Sequence, residues 1–220
     1  MDVNEAIEAV GDFWVLRNDN AISELARKAG TITYDKTYAE MPELLTLPKD
    51  SWLVDVGAFI GDSTRSFIDM GFNVWAFEPM PDAFECLEHN CPESKNIKAP
   101  VGDGRLVCLD RSEGGNMGGR SVKTFLPKQT PVATKRLDDE IIIPAILKVD
   151  VEGFEPAVLA GASKMLSSDI LKVVMIEFNP KALASFGWVC DDISCYFEGW
   201  ERREYYRYYD ENWDVVFSRP

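Results

Sequence analysis

The sequence predicts an α/β domain in which a mostly parallel, seven-stranded sheet is covered on both faces by helices and finished by a C-terminal antiparallel hairpin. Three observations predict it. From Ser51 onward short apolar runs alternate with helical patterns, which is how strands buried on both faces and their crossover helices read. The run Val173-Val174-Met175-Ile176-Glu177-Phe178 is rich in β-branched residues and carries no turn residue. Near the C terminus two strand-like runs flank Asp210-Glu211-Asn212, the pattern of a hairpin. A chain of 220 residues suits one such domain better than two.

Taken in order, residues 1–48 hold two helical patterns, around Asn4 to Leu16 and Asn20 to Ala29, and a Tyr-rich stretch ending at Pro42 and Pro48. They are expected to form an N-terminal helical cap on a domain of residues 49–220. Trp52 to Val56 is the first strand and Asp62 to Met70 its helix. Asn73 to Phe77 is the second strand, stopped at Glu78-Pro79 because proline cannot donate to a ladder. Pro81 and Asp82 open the next helix, which buries Ala83, Phe84 and Leu87. Ile97 to Val101 is the third strand. The segment Asp110 to Arg120 is too glycine-rich for a helix and reads as a mobile loop. Ala145 to Val149 is the fourth strand, with a helix over Pro156 to Leu166, and Val173 to Phe178 is the fifth. Arg203 to Tyr209 and Trp213 to Ser218 form the hairpin. Tyr205, Tyr206, Tyr208 and Tyr209 are expected to pack on both of its faces, with carbohydrate stacking as a secondary role.

Composition narrows the function. A net charge of −14 disfavours nucleic acid as a partner, because such binding relies on Lys and Arg neutralising phosphates. The 5 cysteines form no C-x-x-C pair, so neither a disulfide framework nor a zinc cluster is indicated. A reducing, cytoplasmic setting is the expectation. No apolar run approaches a membrane span and no leader is legible at Met1 to Ala9.

The segment Asp55-Val56-Gly57-Ala58-Phe59-Ile60-Gly61 is a strand end, a glycine turn and a helix start. Gly57 and Gly61 lack a Cβ and let backbone N–H groups approach a ligand. Glu78, at the end of the next strand, stands where a carboxylate accepts the hydroxyls of an adenosine ribose. A nicotinamide-dependent oxidoreductase is the competing class, but the turn has no third glycine in dinucleotide spacing.

Four motifs carry a resemblance. They are Val54 to Thr64, Val74 to Pro81 with Leu87 and Asn90 downstream, Leu147 to Glu155 with Val158 to Ala162, and Ile176 to Phe178. Together they resemble the FkbM family of methyltransferases over Trp52 to Phe178. The resemblance implies a class I methyltransferase fold, S-adenosylmethionine as donor and a hydroxyl as acceptor, of a sugar or glycan or else of another small metabolite. It further implies that Asp55, Gly57 and Gly61 line the methionine and ribose part of the donor, within a turn that includes Ala58, Phe59, Ile60, Ser63 and Thr64. Glu78 would hold the ribose, and Met80, after Pro79, would pack on adenine. Phe59 departs from the pattern, since the family commonly has Asn there.

The ionisable cluster at the fourth strand, Lys148, Asp150, Glu152 and Glu155, faces Glu177 at the end of the fifth. Methyl transfer to a hydroxyl needs a base within reach of that proton. Asp150 is the expected base and Glu177 the alternate, also suited to orienting substrate hydroxyls. Lys148 lies in an apolar strand and needs a carboxylate partner, for which Glu152 is the expectation. The same acids, Asp150 and Glu177 foremost, suit Mg²⁺ as an alternative means of lowering the hydroxyl's pKa. Asn116 and Arg120 of the glycine-rich loop are candidate substrate contacts. His89, the only histidine, falls on a helix away from the strand ends and reads as a surface residue.

Overall fold

The computed structural model describes residues 3–33, 37–110, 115–124, 126–127, 129–140, 142–206 and 212–220. Its central sheet has seven strands. In chain order the elements used below are β1 (Ile7–Val10), β2 (Phe13–Leu16), α1 (Ile22–Ala29), β3 (Trp52–Val56), α2 (Asp62–Asp69), β4 (Asn73–Phe77), α3 (Pro81–Asn90), β5 (Lys95–Ile97), β6 (Leu106–Leu109), β7 (Val122–Lys123), β8 (Val132–Ala133), β9 (Ile146–Val149), α4 (Glu155–Ala160), α5 (Ser163–Leu166), β10 (Val173–Phe178), β11 (Glu201–Tyr206) and β12 (Trp213–Ser218). The sheet order is β11-β12-β10-β9-β3-β4-β5, in which β5, β4, β3, β9 and β10 run parallel and the last hairpin is antiparallel.

Because side chains alternate along a strand, each parallel strand feeds two cores. Val54, Val56, Leu147, Val149, Val174, Ile176 and Phe178 pack with Val158 and Leu159 of α4 and Met165 of α5. Leu53, Val74, Ala76, Ile146, Val173 and Met175 face the other way, toward Phe67 of α2 and Phe84 and Leu87 of α3. The second set shares its face with Asp55, Lys148 and Glu177, so the register pairing Asp55 with Lys148 puts opposite charges side by side inside the sheet.

Several elements differ from expectation. The helix expected over Asn4 to Leu16 is a single helical turn at Val3–Ala6 followed by the β1–β2 hairpin, which turns at Gly11 with φ 60°. Its apolar residues, Ile7, Val10, Phe13, Val15 and Leu16, pack against Cys86 and Ala83 of α3, and that packing outweighs helix propensity. The third strand is Lys95–Ile97; Val101 instead bridges Lys135. The helix over Pro156 to Leu166 breaks into α4 and α5 at Gly161, where a side chain would meet the Gly102 carbonyl at 1.9 Å. A small three-stranded sheet, β7-β6-β8, was not legible beforehand. In the terminal hairpin the first strand begins two residues early, and Tyr208, Tyr209 and most of the turn lie outside the described residues. Among the described residues no helix is long and apolar enough to cross a membrane.

Candidate active site

The carboxyl ends of β3, β4, β9 and β10 open into one cavity of about 380 Å³, within the range of small-molecule sites. Gly57, Phe59, Ser63, Glu78, Pro79, Met80, Lys148, Asp150, Glu152 and Glu177 all line it.

The turn after β3 is fixed by main-chain bonds. The N–H groups of Gly57 and Ala58 both donate to the Phe77 carbonyl, at 3.0 and 3.1 Å, and Asp150 N–H donates to the Val56 carbonyl at 3.0 Å. This brings the loop after β9 so close that a Cβ on Gly57 would lie 1.8 Å from the Asp150 carbonyl oxygen. No residue but glycine fits there. Asn90 of α3 holds the turn from outside, donating to the Ile60 carbonyl at 2.7 Å and exchanging hydrogen bonds with the backbone of Trp14 in β2.

Glu78 is buried at the cavity wall, with Oε2 accepting the Phe59 N–H at 2.9 Å and Oε1 accepting the Met80 N–H at 2.7 Å. Burial pushes its pKa up to about 7, against the pull of those two N–H bonds and of Arg120. Each oxygen keeps a further lone pair, so the carboxylate is oriented yet able to accept ligand hydroxyls. Phe59 has φ 49°, the left-handed region that Asn tolerates better than Phe. Its backbone, not its side chain, makes the contact with Glu78.

Asp55 does not reach the cavity. It is wholly buried, with Oδ2 accepting the hydroxyls of Ser63 at 2.8 Å and Thr64 at 2.7 Å, and Oδ1 lying 3.2 Å from Lys148 Nζ. Asp55, Ala58, Ile60, Gly61 and Thr64 therefore stand behind the turn and brace it, while Ser63 reaches the lining. The expected Lys148–Glu152 pair is also replaced: Lys148 Nζ sits between Asp55 and Asp150, 3.6 Å from Asp150 Oδ2. Alternation explains this, since 148 and 150 project to the same side of the extended chain while Glu152 lies past the bend, at φ 56°, and accepts from Asn179 Nδ2 at 3.3 Å. Burial opposes the Lys148 charge, but Asp55 and Asp150 override it and hold the ammonium's pKa well above its ordinary value.

Asp150, Glu152 and Glu177 converge, each offering a carboxylate oxygen within 4.8 Å of the others. Asn212 donates to Glu177 Oε1 at 3.3 Å. Glu155 is separate. It is wholly buried, and its Oε1 accepts the N–H groups of Val151 and Gly153, shaping the loop that carries Asp150.

The glycine-rich loop contributes differently from expectation. Arg120 lines the cavity, but its two Nη atoms donate to Asp82 at 3.0 Å and its Nε to the Met117 carbonyl, so its guanidinium ties the loop to the start of α3. Asn116 Oδ1 accepts from Gly119 N–H, and the residue also borders the cavity. His89 stacks on Trp14 with ring centroids 4.1 Å apart, outside the cavity.

Two contributions escaped the sequence reading. Asp62 lines the cavity beside Lys148, and burial raises its pKa to about 6; its place directly after the glycine turn was the available signal. Ala21, Ile22 and Leu25 add an apolar stretch to the cavity wall. That stretch had no signal, because its place depends on the N-terminal segment folding over the strand ends.

These residues fit a nucleoside-containing donor: a glycine that admits close backbone approach, an oriented buried carboxylate one strand over, and Pro79 and Met80 as an apolar wall beside it. A family model described as the methyltransferase FkbM domain matches residues 55–208. The hexuronic acid methyltransferase AglP of Haloferax volcanii is 30% identical over 139 residues, which are 60% of this chain and 57% of that protein. The chain thus spans little more than half the length of that relative. Among solved structures, the FkbM methyltransferase of Methylobacillus flagellatus superposes with TM-score 0.57 at 18% identity, covering 80% of this chain and 45% of the other. The magnesium protoporphyrin IX methyltransferase of Synechocystis, with S-adenosylmethionine bound, superposes with TM-score 0.52 at 15% identity over 91% and 85% of the two chains. At these identities the likeness concerns the fold.

Proposed function

The chain belongs to the FkbM family of class I S-adenosylmethionine-dependent methyltransferases, and on that premise we propose that it methylates a hydroxyl of a sugar or glycan. The nicotinamide alternative falls with the family assignment. The observation that carries the proposal is the meeting, in one cavity, of the oriented Glu78 carboxylate and the Asp150–Glu152–Glu177 cluster.

In this reading Glu78 receives the ribose hydroxyls, Met80 packs on the adenine, and Gly57 and Ser63 border the methionine part. When bound, the donor supplies a methyl group on a sulfonium, which leaves as a neutral thioether. Asp150 is the base: as the acceptor oxygen bonds to the methyl carbon and the sulfur–carbon electron pair stays on sulfur, the hydroxyl proton passes to the Asp150 carboxylate. Lys148 is a positioning residue, holding Asp150 from the inner side of the sheet. Glu177, fixed by Asn212, orients acceptor hydroxyls. A name given to a relative supports a carbohydrate acceptor over a non-sugar metabolite.

The convergence of three carboxylates favours one second reading, a divalent cation held by Asp150, Glu152 and Glu177 that polarises the same hydroxyl. Incubation with labelled donor and a panel of sugars, with and without EDTA, tests both. Methyl ethers mapped to a ring hydroxyl support the proposal, loss of product in EDTA selects the cation, and transfer to nitrogen or carbon rejects hydroxyl methylation.

A further inference from the structure

S-adenosylmethionine ends in an amino acid, whose ammonium group needs a carboxylate when it leaves water. Asp55 cannot supply one, because its oxygens are engaged behind the turn by Ser63, Thr64 and Lys148. Glu78, one strand over, is oriented for the ribose, and Asp150, Glu152 and Glu177 converge where β9 and β10 end. Among the described residues, the remaining carboxylate of the cavity lining is Asp62.

Asp62 stands at the first position of α2, directly past the glycine turn, and Ser66, four residues on, shares its helix face. Both border the cavity, as does Ser63. Tyr38, from the N-terminal segment, borders it too and packs on Phe67 of the same helix, with ring centroids 4.9 Å apart. Among the described residues, no other side chain hydrogen-bonds or ion-pairs with the Asp62 carboxylate. Burial raises its pKa to about 6; Lys148 pulls against that rise without reaching ion-pair distance, and Asp55 and Asp150 add to it. A cation brought to this carboxylate would relieve the cost of its burial.

We propose that Asp62 receives the α-ammonium of the donor, so that two separate carboxylates hold the cofactor, Glu78 at the ribose and Asp62 at the amino-acid end. The inference rests on the donor placement above and extends it. The resemblance implies that Asp55 lines the methionine part; in this chain Asp62 takes over that contact, and Asp55 braces the turn from behind. An ammonium donating to a carboxylate makes a charge-assisted hydrogen bond, stronger than a neutral one and lost when either charge is removed.

The test is calorimetry with the full chain at pH 8, where the Asp62 carboxylate is ionised. Three nucleosides are compared: S-adenosylhomocysteine, its deaminated analogue with hydrogen in place of the amino group, and 5′-methylthioadenosine, which lacks the amino-acid end altogether. The wild-type protein should bind the deaminated analogue at least ~10-fold more weakly than S-adenosylhomocysteine, the scale of one charge-assisted hydrogen bond. Asp62→Asn should lose at least ~10-fold for S-adenosylhomocysteine without weakening the other two. Asp62→Ser, which also keeps a hydrogen-bonding side chain at the helix start, should behave alike. Glu78→Gln should instead weaken all three nucleosides. Equal binding of S-adenosylhomocysteine and its deaminated analogue by the wild-type protein overturns the inference without need of a variant. Full S-adenosylhomocysteine affinity in either Asp62 variant overturns it too, as does a loss shared equally by all three nucleosides, which would make Asp62 structural. Failure of the wild-type protein to bind S-adenosylhomocysteine at all removes the donor placement and the inference with it.

Discussion

At Asp150, residue chemistry sets the most direct prediction. Its carboxylate is the cluster member braced by Lys148, and the loop that carries it is tied to β3 through its own N–H. Asp150→Asn should leave S-adenosylhomocysteine affinity within a few-fold and lower turnover by at least ~100-fold, the usual effect of removing a general base. Single-turnover kinetics and calorimetry measure the two separately, and unchanged turnover would reject Asp150 as the base. Glu78 gives a pH signature. Burial raises its pKa to about 7, so below that pH it is largely protonated and has lost acceptor capacity for ribose hydroxyls. Affinity for S-adenosylhomocysteine should therefore rise with pH through about 7, and Glu78→Gln should flatten the dependence; an unaltered profile in that variant would sink the assignment. Phe59 keeps a backbone N–H on Glu78 despite a φ of 49° that favours Asn, and its side chain packs against the cluster that holds Ile60 and Met80.

Between elements, the N-terminal segment and the glycine-rich loop form one wall, and Asp19 joins them. This buried carboxylate accepts Ser23 N–H at 2.6 Å and Ala21 N–H at the start of α1, and Met117 N–H from the loop at 2.9 Å. Asn20 N–H donates to the Gly115 carbonyl beside it. Asp19→Ala strands buried donors and should cost about 1–3 kcal/mol each where water cannot replace the bond. Urea denaturation reads that loss. Limited proteolysis should meanwhile detect earlier cutting within residues 115–120, and equal resistance to cutting would show that the latch is not needed.

For the molecule as a whole, burial of carboxyl groups sets the response to pH. Glu78 and Glu155 are raised to about 7 from 4.5, and Asp62 to about 6 from 3.8. A raised folded-state pKa means that the native state binds more protons than the unfolded chain between the two values. The stability these groups contribute is complete below about pH 4, and it declines as pH rises through 6 to 7. Thermal melts from pH 5 to pH 8 should fall because of them, and Glu155→Gln should make the fall shallower. An identical slope in that variant would remove Glu155 as a contributor.

The strands of the sheet and the glycine turn were legible because their signals are local. Apolar runs of strand length, glycines at 57 and 61, and acids at strand ends need no knowledge of distant residues. The Asp150–Glu177 neighbourhood was legible as well, since strands in an open parallel sheet deliver their carboxyl ends to one edge. What chain order alone could not supply was the partner of each charge. Lys148 pairs with Asp55 and not Glu152 because register across β3 and β9 and side-chain alternation decide it. Arg120 is spent on Asp82, and Asp55 turns inward to Ser63 and Thr64, because α3 and α2 pack where they do. The β1–β2 hairpin replaced a helix because its apolar residues found α3. By itself, then, the sequence determined the fold, the family and the positions of the acids. Only the tertiary structure decided which charges face the cavity and which are turned inward, because long-range pairing and burial fix a charge's partners, and neither is a property of neighbouring residues.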